Sequence, residues 1–227
     1  MIDVLLPVLG RPRSAQPVVD SIHAATTVSC CITFLCSPGD DRELQACLDT
    51  HADVIRVNWH PGPGDYAKKI NGGIVETKMP WILMGADDLE FEEGWDVEAL
   101  AEAERTNKRV IATNDMANPE VMRGRHATHP LVARSYIEAH GTIDGKGFYH
   151  EGYDHQCVDV EATETAQARG EFSFAARSIV RHLHPVFNRQ VKMDDTYKKG
   201  MARGQQDIAL LRERRPLWNP NYRSRRR

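Results

Sequence analysis

Short branched apolar runs alternate with stretches of helical spacing through the first half of the chain. Residues 2–9, IDVLLPVL, are almost wholly apolar and end at the breaker GRPRS. Ala15, Val18, Ile22 and Ala25 then recur at the spacing of one helix face, and Ser14 is placed to cap that helix. A second apolar run, VSCCITFLC (28–36), closes at SPGDD, and DVIRVNW (53–59) closes at HPGPGD. Tyr66, Ile70, Ile74 and Thr77 share one face of a helix expected over 65–78, which leads into MPWILMGADD. Strands separated by helices, each followed by a Gly/Pro loop, predict βαβ units around a mostly parallel sheet, an α/β fold. Gly72 and Gly73 fall inside the expected helix and cost about 1 kcal/mol each relative to alanine, so a close approach, a kink or an early helix end must explain them.

The second half is less regular. RVIATND (109–115) reads as a strand, but 124–155 is a long His- and Gly-rich stretch with weak periodicity, of the kind that is functional or loosely held. A helix is expected to begin near Val158, FSFAA and SIVRHLHP read as two short strands, and a last helix spans 204–214. There is no internal repeat and no low-complexity segment. The expected organisation is one domain over 1–203, with halves of about 1–115 and 116–203, followed by a helix and tail over 204–227.

Composition narrows the class. With 41% hydrophobic and 27% charged residues in 227, the chain can bury a sizeable core, as a soluble protein does. No run is long and apolar enough to span a bilayer and no signal core opens the chain, which points to the cytoplasm. The five cysteines are odd in number, include the adjacent Cys30 and Cys31, and lack CxxC spacing; Cys30, Cys31 and Cys36 are expected as small buried hydrophobes. A net charge of −3 argues against a generally basic nucleic-acid coat. The positive charge is local: Arg212, Arg214, Arg215, Arg223, Arg225, Arg226 and Arg227 crowd the C-terminus, either as a solvated tail or as an arm for phosphate or another acidic partner.

In parallel sheets, ligands bind beyond the carboxyl ends of the strands. Arg11, Asp40, Asp41, Asp65, Asp87 and Asp88 all fall at such ends. Asp87 and Asp88 are the unusual pair, since adjacent carboxylates disfavour each other's ionisation unless water or a cation intervenes. Hard cations such as Mg2+ or Mn2+ take oxygen ligands and share them with substrate phosphates. In RHLHP, His182 and His184 would share one strand face, either half-buried against backbone or offered to a metal. Zinc hydrolysis is a rival use of them, but no HExxH motif is present. His126, His129, His150 and His155 are scattered and read as loop residues or acceptor contacts. Asp159 and Glu161 open the helix near Val158, where acids suit the helix dipole.

The ordered series VLLPVLGRP, SPGDD, GDYAKKINGGIVET, WILMGADDLEFEEGWD, DVE and HLHP resembles the GT-A glycosyltransferases, particularly those like family 2, over residues 2–190. The resemblance implies a metal-dependent transferase that takes a sugar from a nucleotide-sugar, of UDP type, to a hydroxyl acceptor, with Mn2+ or Mg2+. It implies that Pro7 and Arg11 line the nucleotide cleft, that Asp40 and Ser37 hold the base, and that Lys69 faces the nucleotide-sugar. Asp87 would bind the donor, while Asp88 and His184 would ligate the cation. Asp159 would be the base that accepts the acceptor's proton in an inverting transfer, with Asp154 as its alternative. Gly85 and Ala86 stand where many relatives carry a further acid, which thins the acidic cluster. Acceptors compatible with the tail and size include a hydroxylated DNA base, as in phage-type modification, a protein or a glycan. A nucleotidyltransferase is the rival enzyme class, though GRPR is short for its basic glycine loop. A non-catalytic binding protein is the third class.

Overall fold

The computed structural model describes residues 1–145, 147–188 and 191–222. In chain order they form β1 (Ile2–Pro7), α1 (Ala15–Ala25), β2 (Cys30–Cys36), α2 (Asp41–Asp49), β3 (Asp53–Arg56), α3 (Asp65–Glu76), β4 (Trp81–Met84), β5 (Leu89–Phe91) and α4 (Trp95–Thr106). The second half adds β6 (Val110–Asn114), α5 (Pro119–Met122), β7 (Pro130–Ala133), α6 (Arg134–His140), α7 (Val158–Ala168), β8 (Phe172–His182), α8 (Asp195–Ala202) and α9 (Gly204–Arg214).

The strands make one eight-stranded sheet in the order β3-β2-β1-β4-β7-β6-β8-β5. The pairs β3–β2, β2–β1, β1–β4 and β6–β8 are parallel, while β7 runs antiparallel to β4 and β6, and β5 antiparallel to β8. The expected mostly parallel α/β sheet is therefore present. Successive residues of a strand face opposite sides, and both sides are covered. Val4, Leu6 and Leu83 face a core built with α1, α2 and α4, while Leu5, Ile82 and Met84 face one built with α3, α7 and α9.

Gly73 explains its own place in α3. A Cβ there would meet Leu5 and Leu35 side-chain carbons at 3.1 Å, so the glycine lets the helix lie close on the sheet, and α3 runs on to Glu76 without a break. Gly85 answers a second question. A Cβ there would lie 2.8 Å from the Leu5 carbonyl oxygen, while Gly85 N–H donates to that oxygen at 2.9 Å. Position 85 has no room for a side chain, so the further acid that the resemblance would place there cannot be accommodated.

Several local expectations are corrected. Ser14 is already in helical conformation and makes no side-chain cap, because the turn after Arg11 continues into α1. FSFAA and SIVRHLHP form one strand rather than two; its parallel register on β6 slips between Thr113 and Asn114, so the strand bends instead of ending. The irregular 124–155 stretch contains β7 and α6. All five cysteines are free; Cys36 and Cys47 are buried, but Cys30 and Cys31 only half-buried. Arg214 and Arg215 are not part of a loose tail. Arg214 forms a fork on Glu161, both bonds at 2.7 Å, and reaches Asp144 at 3.0 Å, while Arg215 pairs with Glu164. Arg223, Arg225, Arg226 and Arg227 lie outside the described residues. Among the described residues no helix is long and apolar enough to cross a membrane.

Candidate active site

The chain lays β2 and β3 on one side of β1 and then crosses to place β4 on the other. That reversal opens a crevice beyond the carboxyl ends of β1 and β4, the usual ligand position in such sheets. Arg11 follows β1 and Asp87-Asp88 follow β4, so the topology brings them together. Arg11 Nη1 lies 3.1 Å from Asp87 Oδ1 and 3.5 Å from Asp88 Oδ2. Both carboxylates are nearly buried rather than facing open water.

The other partners arrive by strand register. His182 ends β8 opposite Leu89, next to Asp88, and its Nε2 stands 3.5 Å from Asp88 Oδ2. Because β7 pairs antiparallel with β4, Leu131 against Leu83, His129 is carried alongside the tip of β4. There its ring contacts the Met84 carbonyl through Nδ1 at 2.9 Å. The rings of His129 and His182 meet edge to face at 4.8 Å. Asp88, His129 and His182 each offer a ligand atom, all within 4.8 Å of one another. His184 lies just beyond β8; its ring is 5.1 Å from that of His182, and its Nδ1 accepts from Val186 N–H at 3.2 Å.

The like-charged pair resolves by dividing its roles. Burial, with the charge of Asp88, pushes Asp87 up to about 7 despite Arg11. Burial opposes ionisation of Asp88 too, but the hydrogen bond and charge of His182, with the hydrogen bond from Tyr197, hold it well below the usual carboxylate range. Burial and the charge of His182 lower His129 to about 4, so its imidazole is neutral at pH 7. Buried polar atoms without partners cost about 1–3 kcal/mol each. Here Asp87 Oδ2, Asp88 Oδ1, His129 Nε2, His182 Nδ1 and Ser37 Oγ are all in that state. The unmet atoms of Asp88, His129 and His182, whose ligand atoms lie within 4.8 Å of one another, and of Asp87 beside Arg11, fit a divalent cation and an oxygen-rich ligand.

A segment absent from the sequence expectations covers this crevice. The start of α8 sets the Tyr197 hydroxyl 2.7 Å from Asp88 Oδ2, as donor, and stacks the ring 3.7 Å beneath the Arg11 guanidinium. Asp194 caps α8 and accepts from Arg11 Nε at 2.9 Å. Glu43, also unforeseen, accepts from Arg11 N–H at 2.6 Å and so fixes the loop after β1.

The remaining expected site residues divide. Pro7 ends β1, buried; Ser37 follows β2, buried; Asp40 caps α2 by accepting from Glu43 N–H at 3.1 Å. Lys69 does not present its ammonium to the crevice: it is 1% exposed and bound to Val8 O at 2.7 Å and Asp65 at 2.8 Å. Asp159, in the first turn of α7, faces His126 Nε2 at 2.9 Å and accepts from Val160 N–H. Burial works against its charge, but His126 and that N–H hold its carboxyl below the ordinary value. It is within electrostatic reach of His129 and of Tyr66, which also feel Asp88. Asp154 is taken by Arg203 at 3.2 Å.

Fold and crevice define the class: the chain has the GT-A fold. S. aureus TarS 1–349 in complex with UDP-GlcNAc superposes with a TM-score of 0.68 at 10% identity, covering 93% of this chain and 64% of that one. Glucosyl-3-phosphoglycerate synthase from Mycobacterium tuberculosis, in complex with Mn2+, uridine-diphosphate-glucose and phosphoglyceric acid, does so at 0.63 and 15% identity, covering 94% and 79%. The chain thus spans just under two thirds of the first of these structures. No protein-family model matches the sequence, and neither does any curated protein sequence.

Proposed function

We propose that this protein is a glycosyltransferase that moves a hexosyl group from a UDP-type nucleotide-sugar to a hydroxyl acceptor, with a divalent cation at Asp88. The observation that carries this reading is the buried Asp87–Asp88 pair, backed by Arg11 and His182, at the switch point of a GT-A fold. The similar structures named above hold UDP-GlcNAc, or UDP-glucose with Mn2+, which supports the same donor class.

Asp88 would hold the cation, with His182 and His184 beside it at the end of β8. The cation would neutralise charge building on the departing diphosphate. Arg11 adds a fixed positive charge at the same place. Asp87, buried next to Arg11, is set to accept a sugar hydroxyl, and the unpartnered Ser37 Oγ and Asp40 at the end of β2 are set to hold the base. Lys69 supports the loop after β1 through Val8 O instead of touching the donor. Asp159 is kept ionised, as a base must be, and takes the acceptor's proton as its oxygen attacks the far face of the sugar. The acceptor is a hydroxyl; the case for a DNA base is weakened by Arg214 and Arg215, whose guanidinium groups are spent on Glu161, Asp144 and Glu164.

The test is turnover. Purified protein incubated with Mn2+ and a panel of UDP-sugars is expected to release UDP, by slow hydrolysis without acceptor and faster with one. Asp88→Asn should abolish the release. Release unaffected by Asp88→Asn, or none with any nucleotide-sugar, would reject the reading.

A further inference from the structure

His129 is the residue at this crevice that its place in the sequence does least to advertise. It is 5% exposed, and its ring is held by the Met84 carbonyl at 2.9 Å. A carbonyl can only accept, so Nδ1 carries the proton and Nε2 carries a free lone pair. That Nε2 is buried with no partner, as are Asp88 Oδ1 and His182 Nδ1. Asp88 Oδ2 is already engaged by the Tyr197 hydroxyl, which leaves Oδ1 as its open oxygen. The three side chains come from three separate places, the tip of β4, the approach to β7 and the end of β8, yet their ligand atoms lie within 4.8 Å of one another.

We propose that His129 is a metal ligand and that Asp88, His129 and His182 form a two-imidazole, one-carboxylate centre that takes a transition-metal ion such as Mn2+, Co2+ or Zn2+ and discriminates against Mg2+. The inference rests on the proposed transfer reaction for what the ion is used for, but not for which atoms hold it. Imidazole suits transition metals, whereas Mg2+ keeps an octahedral set of oxygens, most of them water. A backbone carbonyl on the distal ring nitrogen is the usual support for a ligating histidine, because it fixes both tautomer and ring plane. His129 has that support from Met84. Selectivity would then come from a side chain outside the acidic motif, brought in by an antiparallel strand.

The test counts nitrogens on the ion. The full chain loaded with Mn2+ and studied by pulsed electron paramagnetic resonance should show coupling to two imidazole nitrogens. Calorimetry should show Zn2+ binding at least about a hundredfold more tightly than Mg2+, with Mn2+ between them, the order expected when two imidazoles replace oxygen donors. His129→Gln should remove one nitrogen coupling and weaken Mn2+ binding by at least about tenfold. Should that variant fail to fold, His184→Gln serves instead: it should leave the count at two, and a drop to one would assign the second nitrogen to His184 and overturn the proposal. One nitrogen or none, equal affinity for Mg2+, or an unchanged His129→Gln would overturn the proposal. Two nitrogens in a protein that binds no UDP-sugar would retain this centre and remove the transfer reaction. UDP-sugar binding with an oxygen-only ion would do the converse.

Discussion

The two ends of the central strands bury charge in opposite ways. At the amino ends of β1 and β4, Asp3 accepts from Met79 N–H at 2.7 Å and pairs with Arg134 at 3.1 Å. Arg134 in turn donates to Met79 O, Ile74 O and Thr77 Oγ1, so its fork is used up on the chain itself. At the carboxyl ends, Asp87, Asp88, His129 and His182 are as deeply placed but leave polar atoms unmet. Buried polar groups are nearly always satisfied in folded proteins, so the first group reads as a joint and the second as a receptor. Charge and burial alone would not separate them; the account of each donor and acceptor does.

Paired substitutions test that contrast most strongly. Asp88→Asn is expected to abolish cation-dependent UDP binding in calorimetry while shifting the melting temperature little. Arg134→Ala should do the reverse. Leaving Asp3 buried without its cation costs about 3–5 kcal/mol, or roughly 10 °C in melting temperature at 2–4 °C per kcal/mol, with ion binding by the folded protein unaltered. If Asp88→Asn unfolds the protein while Arg134→Ala weakens ion binding, the assignment of joint and receptor is reversed.

Asp159→Asn should lower transfer by about 10²–10⁴ while donor affinity holds, since general-base catalysis is worth about that much; near-normal transfer would remove Asp159 as base. Tyr197→Phe takes a hydroxyl off Asp88 Oδ2. Hydrogen bonds to charged groups are worth about 1.5–3 kcal/mol, so its loss should tighten ion binding, by about tenfold in the same titration. Weaker binding would instead make Tyr197 part of the site.

The smallest effect concerns His126 and Asp159. The imidazole is raised by the carboxylate against the pull of burial, and the carboxyl is lowered. A raised histidine stabilises fully below its unfolded value, about 6.5, and loses that contribution as pH climbs through the folded one. A lowered carboxyl stabilises above about 3.9 and loses it as pH falls through its own folded value. The pair is therefore strongest between about pH 4 and pH 6.5. His126→Gln should lower the melting temperature by about 2–4 °C at pH 6, equivalent to about 1 kcal/mol, and by less at pH 9.

What the sequence showed of this site follows its chain geometry. IDVLLPVL, VSCCITFLC and WILM are continuous apolar runs because β1, β2 and β4 are covered on both faces, and the acids that end them mark the strand tips directly. His129 gave only a weak sign, a histidine before the four-residue run PLVA. Its pairing with β4 spans 45 residues of chain and leaves no local pattern. Tyr197 and Asp194 were missed: an aspartate before DTYKKGMA suits a helix start, but that helix is absent from the sequence expectations, and nothing nearby says that it lies over Arg11. The arginine cluster misled because Arg214 and Arg215 meet their acids, Glu161 and Glu164, only in the folded chain.

The most direct measurement is a calorimetric titration of the intact chain with UDP, run with and without Mn2+. Binding that requires Mn2+ and disappears in Asp88→Asn is the result the account predicts. Equal binding in the presence and absence of the ion, or binding that survives Asp88→Asn, would contradict it.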